Sequence, residues 1–209
     1  MTALTLSPLQ SEPQFKLRES LSGGRVKGVI VRAHQQWVRE RFGEAGLARV
    51  YRELPRHVAT DISDALSASW CSFGDLVLFD RAIARVCGRG EHELMRELGR
   101  FSARVNLSTV FRSFQCEDVH EFFRRSSALH TQFQDFGVSI YQRLGPDEGR
   151  IEIIHTPFYS PAYCASACGY YEEVIAMHGG APSVVAHPVC RCAGDDRCRF
   201  SLRWRVILD

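Results

Sequence analysis

The hydrophobic period changes once along this chain, near residue 136, and that change limits the folds open to it. Upstream, apolar residues recur at helical spacing. Val29, Val31, Trp37, Val38 and Phe42 form one run, Gly43 breaks it, and Leu47, Val50, Tyr51 and Leu54 resume it before Pro55. Further helices are predicted at about 73–87, 91–104, 107–114 and 116–134, with Leu94, Leu98 and Phe101 as one apolar stripe. Downstream, FGVSIYQRL and IEIIHTPF flank GPDEGR, which predicts two strands about a turn. Ser160-Pro161 then opens a helix that runs to about His178 and ends at Gly179-Gly180. Two last strands, SVVAHPVCRC and RCRFSLRWRVIL, are separated by AGDD, where Gly194 supplies the positive φ of a tight turn. Many helices followed by β-β-α-β-β place the chain in the α+β class.

The 209 residues suit one domain, and 45% apolar residues suffice for a sizeable core. Residues 1–24, polar and closing on SGG, are expected to be a flexible lead-in to a domain spanning 25–209. That domain has a helical half (25–134) and a ββαββ half (135–209). A net charge of +2 with scattered arginines argues against a nucleic-acid groove, and no apolar run is long enough to cross a membrane. The N-terminus lacks the basic and apolar regions of a secretory signal, so a cytoplasmic location is expected. Eight cysteines would then sit in a reducing compartment, where clustered thiols bind metal more often than they pair.

Three of these cysteines fall in HPVCRCAGDDRCRF, residues 187–200. If the turn centres on Gly194, Cys190 faces Cys198 across the ladder, about 5 Å apart at Cβ, close enough for two thiolates to share a metal. His187 has the wrong parity for that face in an ideal strand, but Pro188 interrupts the ladder and can bring the imidazole round. Cys164 and Cys168 lie one turn apart on the preceding helix, and either can supply a fourth donor. Cys192 is the other candidate, although it faces Asp196. A structural zinc ion suits thiolates with imidazole. A reduced, cysteine-rich hairpin without metal is the plain alternative, and a Cys190–Cys198 disulfide the remote one.

The set Cys164, His187, Cys190 and Cys198 resembles the zinc-binding residues of the 4-vinyl reductase domain superfamily. That superfamily includes the aromatic-effector sensor domains of phenol- and xylene-responsive activators. The pattern there is a helix cysteine, an acidic residue, two intervening positions, a cysteine, seven positions and a last cysteine; here His187 stands in the acidic position. VKGVIVRAHQQWVRERFGEAGLARVYRELP and ELMRELGRFSA resemble an uncharacterised, Myxococcales-restricted bacterial family of the same fold. The resemblance implies ligation of zinc by those four residues and leaves Cys168 and Cys192 outside the set. It also implies N-terminal helices packed on an antiparallel sheet, a sandwich shared with haem-nitric-oxide domains and a vesicle-tethering subunit. Homodimers formed through the N-terminal helices, and a small hydrophobic ligand held between helices and sheet, belong to the same implication.

Phe114, Phe122, Phe133, Tyr141, Tyr163 and Tyr171, with His155, are the candidate lining of such a pocket; His120 and His130 are further polar candidates. Catalysis has little support. HELMR (92–96) and HEFFR (120–124) begin like a zinc-protease motif but carry Arg in place of the second His. No nucleophile elbow, P-loop or dinucleotide fingerprint occurs, and Glu172-Glu173 reads as a solvated pair. Haem is disfavoured because no segment, YSPAY included, reproduces a Tyr-x-Ser-x-Arg propionate signature. The expected function is therefore a non-catalytic, zinc-stabilised sensor or signalling module that acts through a protein partner. A ligand-free interaction scaffold is the alternative, and a tetrapyrrole-binding, vinyl-reductase-like protein a more distant one.

Overall fold

A computed structural model describes residues 17–88, 90–109, 116 and 118–206 of the chain. Helix α1 (Gly28–Arg52) is bent at Gly43, whose φ of 67° only glycine adopts freely. Its first N–H groups are satisfied by the carbonyls of Ser69 and Ser67, 2.9 and 3.0 Å away. A short α2 (Arg56–Ser63) follows Pro55, and β1 (Arg25–Lys27) pairs antiparallel with β2 (Trp70–Ser72) ahead of α3 (Phe73–Cys87). Neither the small β1–β2 sheet nor α2 is expected from periodicity.

α4 is one helix, Glu91–Ser108, longer than predicted. α5 (Val119–Ala128) is shorter than predicted because Asp118 caps it late, accepting from Glu121 N–H at 2.8 Å. The second half follows the expected order: β3 (Val138–Arg143), β4 (Glu148–Ile154), α6 (Pro161–Met177), β5 (Gly180–Val189) and β6 (Cys198–Val206). These strands form one antiparallel sheet in the order β3-β4-β6-β5. Its inner face carries Ile151, Phe200, Leu202 and Trp204; its outer face pairs Arg199 with Glu152 and Arg203 with Glu148.

α6 lies between two cores. Ala162 and Ala165 pack into the helical half, and Cys164, Cys168, Val174 and Ile175 pack towards the sheet. A helix buried on both sides has no room for a bulky neighbour, and α4 approaches it through glycine. A Cβ on Gly99 would stand 1.9 Å from Ser166 O, and one on Gly169 1.9 Å from Arg96 O. Arg96 and Arg100 grip Glu172, and Arg104 grips Glu173 at 2.9 Å, along the edge of this contact. The Glu172-Glu173 pair is thus an interhelical clamp, and the expectation of a solvated pair is corrected.

Candidate functional site

Cys164 sits in the first turn of α6, its N–H bonded to Ser160 O at 3.0 Å, where the helix dipole favours a thiolate. Cys190 and Cys198 stand at the two ends of the β5–β6 loop, and Val189 pairs with Arg199 just inside them. The register shifts between Ala186 and Val189, at His187-Pro188. This irregularity turns the His187 ring onto Phe200, stacked at 4.2 Å with planes 5° apart. One donor atom from each of Cys164, His187, Cys190 and Cys198 then falls within 4.8 Å of the others, and the Cys164 and Cys198 sulfurs are 3.9 Å apart. A tetrahedral ion with metal–sulfur bonds of about 2.3 Å separates its sulfurs by about 3.8 Å.

The thiols of the cluster share their protons unevenly, and Cys198 is pushed up to about 11. Hydrogen bonds with Cys164, Cys192 and Cys198, and then His187, pull the Cys190 thiol far below its ordinary range, while sharing with Cys190 pushes Cys164 up. Backbone N–H groups add to this, Cys192 donating to Cys190 Sγ at 3.3 Å and Arg191 to Cys198 Sγ at 3.5 Å. His187 Nε2 is buried without a hydrogen-bond partner among the described residues. Cys168 and Cys192 are buried outside the set.

Cys164, Cys198 and Phe200 also form one wall of a cavity of about 210 Å³ between α4, α5, α6 and the sheet. Of the residues expected there, Phe133, Tyr163 and Tyr171 line it. Phe122 is buried against Phe123 and His178 instead, and Tyr141 packs on Phe123 with its hydroxyl 2.5 Å from His120 Nδ1. His155 is exposed, with a φ of 52°. These three are corrected as lining residues, and Phe114 falls outside the described residues.

Sequence reasoning missed the serines. Ser102 of α4 and Ser160, the N-cap of α6, both line the cavity, are 4% and 0% exposed, and have hydroxyls with no partner among the described residues. The Ser160-Pro161 signal marks a helix start and not a cavity wall, and no signal marks Ser102. A relay completes the polar lining. Tyr163 donates to Gln134 Oε1 at 2.7 Å, and Gln134 Nε2 reaches His130 Nε2 at 2.7 Å. The same nitrogen lies 3.3 Å from Phe136 O, and burial lowers the His130 pKa, which favours the neutral ring. No charged side chain lines the cavity among the described residues.

No family model matches the sequence, and no curated protein matches it either. Solved structures do match. An Fe(II) unliganded H-NOX protein from K. algicida superimposes with a TM-score of 0.68 at 9% identity, over 88% of this chain and 98% of that one. An S. oneidensis H-NOX protein in the Fe(II)NO state gives 0.67 at 14% identity, over 86% and 99%. A structure concerned with haem redox potential and porphyrin distortion gives 0.58 at 14% identity, over 86% and 99%. The helices-on-sheet fold expected from the sequence is therefore the fold observed, shared with H-NOX proteins.

Two expectations are corrected by the same finding. The matching structures are H-NOX proteins, so the assignment to the 4-vinyl reductase superfamily does not stand. Their metal is Fe(II), with haem named for one of them, so structural zinc as the cofactor of this fold is withdrawn.

Haem in turn is tested by the cavity. About 210 Å³ falls below the 300–1,000 Å³ of pockets that hold drug-sized molecules. Among the described residues its one imidazole, His130, is engaged by Gln134, and no Arg or Lys lines it to meet propionates. The residues present do not fit haem.

Proposed function

We propose that this chain is a non-catalytic, sensor-type module that holds a small neutral, apolar or aromatic molecule between its helices and its sheet. Beside the cavity, Cys164, His187, Cys190 and Cys198 ligate one soft metal ion that braces the β5–β6 loop. The observation that carries the reading is the pair of buried, unpartnered hydroxyls, Ser102 and Ser160, in a wall that mixes aromatic and aliphatic side chains with hydroxyls and amides. A buried hydroxyl without a partner costs stability, and a ligand carrying a hydrogen-bonding group removes that cost. The lack of a charged lining side chain among the described residues supports a neutral ligand. The 3.9 Å sulfur separation and the unpartnered His187 Nε2 support metal ligation.

Native mass spectrometry of freshly purified protein, with elemental analysis, tests both parts. The expected result is one transition-metal ion per chain and a small-molecule adduct lost on denaturation. Cys198→Ser should abolish the metal and lower the thermal midpoint, because an ion that binds only the folded chain stabilises it. Metal-free reduced protein whose stability is unaffected by Cys198→Ser sinks the ligation. A protein that carries no adduct, and whose cavity takes up no added benzene or indole, sinks the sensor reading.

A further inference from the structure

The aromatic wall of the cavity is held from behind by a piece of backbone. Three consecutive residues fasten that piece to three parts of the molecule. Arg18 N–H donates to Cys192 O, inside the cysteine loop, at 2.8 Å. Both oxygens of Glu19 accept from the Arg81 guanidinium on α3, at 3.1 and 2.5 Å. Ser20 exchanges two backbone hydrogen bonds with Tyr159, at 2.9 and 3.0 Å. Gly23 and Gly24 then pass over the Phe158 ring with φ of 114° and 69°. A Cβ on either would stand 2.6 Å from that ring, and one on Gly24 also 2.9 Å from Phe136. Phe136, Phe158 and Tyr159 all line the cavity.

We propose that residues 17–24 are a strap that gates the cavity and is latched to the cysteine loop through Cys192 O. Fastened, the strap presses Phe136 and Phe158 inward and closes the wall; released, it frees those rings and opens a path for a small molecule. The fastenings of Arg18, Glu19 and Ser20 suit a gate because they are hydrogen bonds and an ion pair at the edge of the fold. Gly24 O, which accepts from Phe73 N–H at 3.1 Å, and Leu21, packed on the core, anchor the C-terminal end of the strap. Any rearrangement of the Cys190–Cys198 loop displaces the latch carbonyl, so that loop controls the gate. The proposal rests on reading the cavity as a ligand site.

Two variants loosen the strap without touching the lining. Arg18→Pro removes the N–H that the latch uses, and Glu19→Ala removes the ion pair with Arg81. Benzene serves as the probe, its exchange in and out of the cavity followed by NMR, together with the ring-flip rates of Phe136 and Phe158. Both variants should exchange benzene about tenfold faster or more with a much smaller change in affinity, and should flip both rings faster. Wild-type exchange rates in variants that still bind benzene overturn the gate. If the wild-type protein takes up no benzene, the ligand reading fails, and the ring flips decide the strap alone. Faster flips in both variants then support it, and unchanged flips overturn it.

Discussion

Among single residues, Gln134 has the largest effect on the chemistry of the cavity. It accepts from Tyr163 through Oε1, and its Nε2 stands 2.7 Å from His130 Nε2, which also lies 3.3 Å from Phe136 O. Burial pushes the His130 pKa below its ordinary value of about 6.5. Between the folded and unfolded values the unfolded chain binds more protons, so stability rises with pH across that window. The contribution is complete above about pH 6.5 and is lost as the pH falls below it. His130→Gln should flatten this slope, which urea midpoints near about pH 5 and about pH 8 will show against wild type. Equal slopes in the two proteins would remove His130 from the account. Nothing in the sequence connects Tyr163 to the other two; the packing of α6 against the turn after α5 brings the three together. That Cys190 and Cys198 come together was legible in the hairpin spacing, and Pro188 announced the ladder defect that turns His187; spacing alone did not choose Cys164 over Cys168 for the fourth position of the cluster. The cavity roles of Ser102 and Ser160 were not legible, since Ser-Pro signals only a helix start and a buried serine looks like any other in one dimension.

At the level of elements, the α4–α6 contact decides how the two halves join. Each helix offers a glycine to the backbone of the other, and Arg96, Arg100 and Arg104 close the edge on Glu172 and Glu173. Gly169→Ala should therefore destabilise despite alanine's better helix propensity, worth about 1 kcal/mol. The added methyl meets Arg96 O at 1.9 Å and Arg96 C at 2.6 Å, both backbone atoms that cannot rotate away. Overpacking of this kind costs about 1–3 kcal/mol or more. For a chain of this size that offsets the propensity gain and lowers the thermal midpoint by about 2–4 °C per net kcal/mol. A midpoint equal to wild type or above it would show that the helices separate readily. Sequence pattern identified α6 because its capping Ser-Pro and closing Gly-Gly are local signals. It missed α2 and the three-residue strands β1 and β2, because elements that short are set by the surfaces they meet.

For the molecule as a whole, fold and cofactor part company. The chain follows H-NOX proteins over 86–88% of its length, yet the space between its helices and sheet is filled differently from what a haem requires. Tyr163, Tyr170, Tyr171, Phe133, Phe136 and Phe158 crowd inward and leave about 210 Å³. The imidazole that faces this space is committed to Gln134, and the thiols of Cys164 and Cys198 are committed to the cluster at its end. Parting α6 from the sheet to admit a macrocycle would break the core that Val174, Ile175, Phe200 and Leu202 form there. Tight packing makes that separation costly, because each buried aliphatic or aromatic side chain exposed to water costs about 1.5–3 kcal/mol. Haem titrated into the purified protein should therefore give no saturable Soret shift and no equimolar complex by native mass spectrometry. A stoichiometric complex with a defined axial ligand, lost in His130→Gln, would instead mean that the relay opens and that cofactor has followed fold after all.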